Sequence, residues 1–389
     1  MKQTACPCCQ HTDLESFFTI HNAPVQSVAA IKSYEAAVRV PRHDIVLTFC
    51  NHCGFIFNRE FDKEWDYYTQ GYEDQQGFSP TFVKFITDLT EEFIKKYDVR
   101  NKQVVEIGCG KGDFICLICE LGHNQGIGID PAWVPGRATE QSMIRFIPDF
   151  YSREHAEIHA DCIICRHTME HIHDAAEFLK TIRDSCENTN PILFFEVPSV
   201  IRILQVQAFW DIFGEHCSYF SPASLSRLFR RHNFEVIDLF LKYDDQYLFI
   251  EARPIGTSSK EIHPLEESVK ALKSLTRQFS ENVEKLLGEW RVRLLRLKEE
   301  QKKVVVWGGG SKAVGFLTQF DEIGAIDHVV DINPHLLGNF IPGIGKQYVG
   351  PEFLENYRPD VVIVMNSIYI REVQGELKKR DLFPQVIGL

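Results

Sequence analysis

The stretch Val104-Val105-Glu106-Ile107-Gly108-Cys109-Gly110-Lys111-Gly112-Asp113-Phe114 decides the fold. Residues 104–107 read as a short buried strand, and glycines follow before an apolar helical pattern begins. Glycines at such a point permit a tight turn and let backbone approach a ligand closely. The spacing is G-x-G-x-G with an acid, Glu106, just ahead of it. A dinucleotide loop has G-x-G-x-x-G instead, because a pyrophosphate must sit on the helix N-terminus. Working outward, residues 81–97 carry Phe82, Phe85, Ile86, Leu89 and Phe93 at helical spacing. Strand-like runs recur at 126–129, 162–165 and 192–197. Strands alternating with helices predict an α/β domain, a mostly parallel sheet covered on both faces, over residues 76–254.

The acid and glycine pattern resembles the E/D-x-G-x-G-x-G signature of class I S-adenosylmethionine methyltransferases, which have a Rossmann-like fold. By that resemblance Glu106, Gly108, Gly110 and Gly112 form the cofactor loop, with the glycines packed on the methionine and ribose. Asp130 ends the second strand, where a carboxylate can accept both ribose hydroxyls. Asp149-Phe150 follows at the expected end of the third strand. There a carboxylate can meet the adenine amino group while an apolar neighbour packs on the ring.

Residues 1–75 have another texture, with cysteine pairs and short β-type runs. Cys6/Cys9 and Cys50/Cys53 are two C-x2-C pairs, each able to turn its thiolates toward one ion. Four thiolates in a tetrahedron suit Zn2+, and a full shell leaves no open position, so the reading is a structural zinc domain. A small region with little core gains its folding energy from such a metal clip. Cys8 is then a spare. Residues 255–302 form a linker with one long amphipathic helix, its apolar residues Val269, Leu272, Phe279, Val283, Trp290 and Leu294 stepping by three and four. That stripe packs on a neighbouring domain or pairs in a coiled-coil dimer. Residues 303–389 restart the alternation as a second Rossmann-like unit. Its loop, Trp307-Gly308-Gly309-Gly310-Ser311-Lys312, lacks a preceding acid. It reads as a scaffold loop with Ser311 and Lys312 as phosphate donors, or as a second nucleotide site with Asp331.

Two segments carry candidate acid–base residues. Arg166-His167-Thr168-Met169-Glu170-His171 falls where the fourth strand meets its helix, at the edge where ligands bind in open α/β sheets. Phe213-Gly214-Glu215-His216 follows the next strand and puts an imidazole beside a carboxylate. Histidine titrates near neutrality and can take a proton in turnover.

Assembled, the chain resembles the sugar C-methyltransferase family of deoxysugar pathways. The resemblance rests on the four cysteines, Asn22-Ala23-Pro24-Val25-Gln26-Ser27, the loop from Glu106 to Gly112, Glu215-His216 with Tyr219-Phe220-Ser221, and Gly308 to Lys312. It implies three domains: zinc, S-adenosylmethionine and C-terminal Rossmann-like. It further implies carbon methylation beside the ketone of a nucleotide-linked 4-keto sugar, with His216 as general base and Glu215 and His171 in the pocket. The family often has tyrosine where this chain has Phe213, and Y-x-Y where it reads Tyr72-Glu73-Asp74.

Composition sets the remaining bounds. Hydrophobic residues are 44% and charged residues 25%, the balance of an ordinary globular chain. A net charge of -12 argues against a nucleic-acid partner. The absence of a signal-like start or a long apolar run predicts a cytoplasmic protein without a membrane partner. Twelve cysteines then read first as metal ligands or free thiols. The rival functions are methylation of another small metabolite at carbon, oxygen or nitrogen, and a non-catalytic binding protein. The sequence leaves monomer or homodimer open.

Overall fold

The structure is a computed structural model that describes residues 3–64, 71–73, 75–137, 143–187, 189–256 and 261–389. Asp74 lies outside the described residues. In the first region β1 (Leu14–Pro24) pairs antiparallel with β2 (Arg42–Cys50), and β2 with β3 (Ile56–Asn58). Alternation sends Phe18, Ile20, Ile45, Leu47 and Phe49 into the core.

The central region supplies β4 (Gln103–Ile107), β5 (Gln125–Ile129), β6 (Ile144–Ile147), β7 (Cys162–Arg166) and β8 (Ile192–Pro198). It continues with β9 (Ser218–Tyr219), β10 (Phe234–Lys242) and β11 (Tyr247–Pro254). Seven of these strands form one sheet in the order β10-β11-β8-β7-β4-β5-β6. Five are parallel, and β11 joins β8 antiparallel, closing the edge as a hairpin with β10. The order reverses between β4 and β7, so the carboxyl ends of those strands open a crevice. The short β9 leaves this sheet and pairs with β3 instead. The segment just before it, which carries His216, is therefore pinned to the first domain.

The helix Val269–Glu299 runs 31 residues. Ser268 caps it by accepting from the Ala271 amide. Its stripe is covered within the chain. Phe279 meets Phe18 edge-on with 5.1 Å between ring centroids, and Trp290 meets Phe316 of the C-terminal region at 5.1 Å. One continuous core thus joins β1, this helix and the C-terminal unit. Each fully buried side chain in it contributes roughly 1.5–3 kcal/mol.

The C-terminal unit adds β12 (Val304–Trp307), β13 (His328–Val330), β14 (Tyr348–Val349), β15 (Val361–Val364) and β16 (Gln385–Gly388). They form a parallel sheet in the order β14-β13-β12-β15-β16. Its order reverses between β12 and β15, so the second crevice opens beyond Trp307 and Val364. No helix among the described residues is long and apolar enough to cross a membrane.

Candidate active site

Both crevices open into one cavity of about 740 Å³. On the central side it is lined by Gly108, Asp130, Asp149 and Phe150, and on the C-terminal side by Gly308, Gly310, Lys312 and Asp331. His171 and His216 lie on its wall as well.

The turn after β4 needs glycine at position 108. Its φ is +72°, and a Cβ there would come within 2.0 Å of the Thr168 hydroxyl. Gly110 and Gly112 also have positive φ, but they stand behind the cavity wall. Asp130 holds the loop in shape, its Oδ2 accepting from the Gly110 amide at 2.9 Å and its Oδ1 from the Ala132 amide at 2.7 Å. Burial raises the Asp130 pKa while these two amides oppose the shift. Each carboxylate oxygen keeps a further lone pair for a ligand hydroxyl. Asp149 and Phe150 stand exposed at the rim, beyond the end of β6. Glu106 does not line the cavity. It is buried beneath the loop, and burial pushes its pKa up to about 8.

The C-terminal unit repeats this construction. Asp331 Oδ2 accepts from the Gly309 amide at 2.6 Å, and its Oδ1 from the Asn333 amide at 2.7 Å. Lys312, at the start of the helix Ser311–Phe320, is ion-paired with Asp211 of the central domain. Arg202 lies 3.8 Å from the same carboxylate.

Between the two edges lie the histidines. The rings of His171 and His216 meet edge-on with centroids 4.8 Å apart, and Phe213 packs on His216 at 4.1 Å. His171 Nδ1 lies 3.2 Å from the Glu215 carbonyl oxygen. A carbonyl only accepts, so Nδ1 carries the hydrogen and Nε2 is left as an acceptor. Burial, then the charges of His171, His167 and Lys312, hold the His216 pKa well below the usual range. Burial likewise lowers that of His171. Both rings are therefore neutral near pH 7.

Glu215 does not support the imidazole of His216 as its position in sequence suggests. Its carboxylate turns away from the cavity and accepts from the Ser27 amide and, at 2.8 Å, from the Ser27 hydroxyl. Ser27 Oγ is in turn 2.8 Å from Ser311 Oγ. One hydrogen-bonded knot thereby ties the first domain, the His216 segment and the C-terminal helix. Burial raises the Glu215 pKa to about 7 against the pull of Ser27. Gly214 lets this segment press against the first domain, since a Cβ there would sit 2.4 Å from the Pro24 carbonyl oxygen.

A third histidine was not singled out by its sequence. His167 has a left-handed backbone, φ +47°, and its Nε2 lies 2.9 Å from Glu196. Burial works against its charge, but Glu196 and Glu170 overcome it and raise the pKa to about 9. Arg166 donates to Glu196 at 2.5 Å. Tyr72 also lines the cavity, whereas Tyr219 lies behind His216 with ring centroids 5.9 Å apart.

Away from the cavity, Cys6, Cys9, Cys50 and Cys53 present sulfurs within 4.8 Å of one another. Cys6 and Cys53 sulfurs are 3.7 Å apart, and those of Cys9 and Cys50 are 3.5 Å apart. A tetrahedral zinc with Zn–S of about 2.3 Å needs edges of about 3.8 Å, so the set fits the ion. Tight turns bring each pair together, through Gln10 N to Cys6 O and Gly54 N to Cys50 O, both 2.8 Å. His52 is not in the set; it stacks on His11 with centroids 3.5 Å apart.

The class follows from the glycine loop, the sheet order and the family matches. The family model described as a methyltransferase domain matches residues 80–239, and that of the C-methyltransferase C-terminal domain matches 253–381. The chain is an S-adenosylmethionine-dependent methyltransferase. Among curated proteins it is similar to the C-methyltransferase NovU of Streptomyces niveus, 25% identical over 308 residues, covering 75% of this chain and 72% of that one. The matches support a C-methyltransferase. Solved structures similar to it include magnesium protoporphyrin IX methyltransferase of Synechocystis PCC 6803 with bound SAH. That chain is 12% identical, with 45% of this chain and 84% of that one covered and a TM-score of 0.35. Another is a 1,6-didemethyltoxoflavin-N1-methyltransferase of Burkholderia thailandensis, at 16% identity, 43% and 78% coverage and a TM-score of 0.34.

If Asp130 binds the ribose, Asp130→Ala should weaken S-adenosylmethionine binding by about 1–3 kcal/mol, the scale of a charge-assisted hydrogen bond left unmade. Titration calorimetry measures this, and an unchanged affinity would move the ribose contact elsewhere.

Proposed function

We propose that this enzyme methylates carbon next to the ketone of a nucleotide-linked keto sugar, with His216 as the proton acceptor. The observation that carries the reading is the shared cavity. Two Asp-clamped glycine loops face it from separate sheets, and the imidazoles stand between. One loop suits the cofactor. The other, with Asp331, Ser311 and Lys312, suits the ribose and phosphate of a nucleotide.

S-adenosylmethionine, when bound, supplies an electrophilic methyl group on a sulfonium. Gly108, Asp130, Asp149 and Phe150 would hold it along the central edge. A ketone acidifies the neighbouring C–H, and neutral His216 is free to take that proton. Phe213, Ile172 and Ile203 contribute apolar surface to the same cavity. We further propose that the cysteine cluster holds a structural zinc, which keeps the first domain folded under the His216 segment.

The test uses S-adenosylmethionine carrying a carbon-13 methyl group and a panel of nucleoside-diphosphate 4-keto-6-deoxyhexoses. The expected product shows the label as a new methyl bonded to ring carbon beside the ketone. Label on oxygen or nitrogen, or no turnover across the panel, would overturn the substrate class.

A further inference from the structure

We infer that the Glu170 carboxylate is the countercharge of His216: it stabilises the imidazolium formed when the ring takes the substrate's proton. This rests on His216 being the base. It assigns to Glu170 the supporting part that sequence adjacency suggests for Glu215.

The argument begins with what a buried base needs. His216 is 5% exposed and its Nδ1 has no hydrogen-bond partner. Placing a proton on such a ring creates a charge out of reach of water, so a carboxylate must face it. Glu215 does not serve: Ser27 holds its Oε1, and although its Oε2 is likewise buried without a partner, the residue neither lines the cavity nor belongs to the group gathered around His216. Glu170 does line the cavity. One of its oxygens and one nitrogen each of His171 and His216 lie within 4.8 Å of one another.

Glu170 is also held for the task. It is 2% exposed, and its Oε2 is buried without a partner. An unpaired carboxylate oxygen in such a place is costly until a proton or cation comes to it. Its Oε1 is 3.6 Å from His167 Nδ1. Its carbonyl accepts from the Cys217 amide at 2.9 Å, coupling it to the residue after His216. The charged and titratable groups facing His216 are His171, His167 and Glu170 from the segment after β7, Lys312 from the C-terminal helix, and Tyr219 of β9. The charges of His171, His167 and Lys312 all disfavour the imidazolium. Glu170 is the group among these whose charge favours it.

In the step itself the substrate C–H bond breaks and an N–H bond forms on His216. The electron pair stays on the substrate as the enolate. His216 carries the proton as an imidazolium opposite the Glu170 carboxylate and passes it to water at the cavity mouth once the carbon is methylated.

Nuclear magnetic resonance tests this without a substrate. The full chain is labelled with carbon-13 at histidine Cε1, saturated with S-adenosylhomocysteine and titrated, the His216 signal being identified by its absence in His216→Ala. Glu170→Gln should lower the His216 pKa by about one to two units, the effect of losing a nearby opposite charge. Glu170→Asp should shift it less, and Glu215→Gln should leave it in place. Turnover of a nucleoside-diphosphate 4-keto-6-deoxyhexose should fall about 10- to 100-fold in Glu170→Gln, with KM for S-adenosylmethionine near wild type. An unmoved His216 titration in Glu170→Gln would overturn the assignment. Wild-type turnover in His216→Ala is a different failure, since it removes the base and not the pairing.

Discussion

His216→Ala should lower kcat by about 10²–10⁴, the usual share of general acid–base catalysis. The size follows from the environment. His216 faces the cavity, is held by Phe213 at 4.1 Å and His171 at 4.8 Å, and is kept neutral by burial. A carbon acid needs such a base more than a hydroxyl or amine does. Cofactor affinity should stay near wild type, because the central edge at Gly108 and Asp130 belongs to other strands. Exchange of the substrate's acidic C–H with deuterated water should vanish together with methylation. The pH dependence has a definite sign. The active form is the neutral ring, so kcat/KM is lost as pH falls through the His216 pKa. That pKa lies well below 6.5, so the acid limb should fall well below the ordinary histidine range. A wild-type rate in the variant would remove His216 as base and leave His171 as the next candidate.

The fold was legible where the signal is local. The strand, glycine loop and helix at 104–122 and at 304–320 are spelled out by hydrophobic runs broken by glycine. The long helix was legible for the same reason, its 3.6-residue stripe uninterrupted by proline. What covers that stripe was not. Phe18 and Phe316 lie hundreds of residues apart, and no period in the sequence joins them. Nor does anything local announce that Ser218–Tyr219 leaves the central sheet to pair with β3.

The site shows the same division. Asp130, Asp149 and His171 were legible because each closely follows a strand at the carboxyl edge of a parallel sheet, and His216 because it stands beside an acid in a glycine-containing segment; the structure brings all four to one cavity. Glu215 is placed differently from what its adjacency to His216 suggests, because Gly214 and Glu215 form a turn closed by the His216 amide on the Phe213 carbonyl, and the carboxylate leaves that turn toward Ser27. Nothing local in the sequence announces that partner, which lies 188 residues away. Asp331 was legible in the same way as Asp130, as the acid that ends a strand after the second glycine loop. The Gly309–Asp331 clamp copies the Gly110–Asp130 clamp at a similar separation along the chain.

Changing Cys50 to Ser should abolish zinc uptake and unfold the first domain, with loss of turnover although no cysteine of the cluster lines the cavity. A hydroxyl is a poor ligand beside three thiolates, and metal binding at such a site supplies roughly 10–16 kcal/mol toward folding. Few small domains have that much stability in reserve. The damage should not remain local. Cys6, Cys50 and Cys53 pack in one cluster with Phe55, Phe57 and Phe220, and Phe57 lies on β3, the partner of β9. Once β3 is lost, β9 loses its pairing, and Ser27 no longer holds Glu215. The His216 segment then keeps its backbone bonds to Phe213 and Glu170 and the His171 contact to the Glu215 carbonyl, but loses its anchor on the first domain. Metal analysis should give about one zinc per wild-type chain and little in the variant, with a lowered melting temperature. Absence of zinc from wild-type protein purified under reducing conditions would sink the metal reading. A variant that loses zinc but keeps both its melting temperature and its turnover would show that the sheet β1-β2-β3-β9 stands on its apolar core alone.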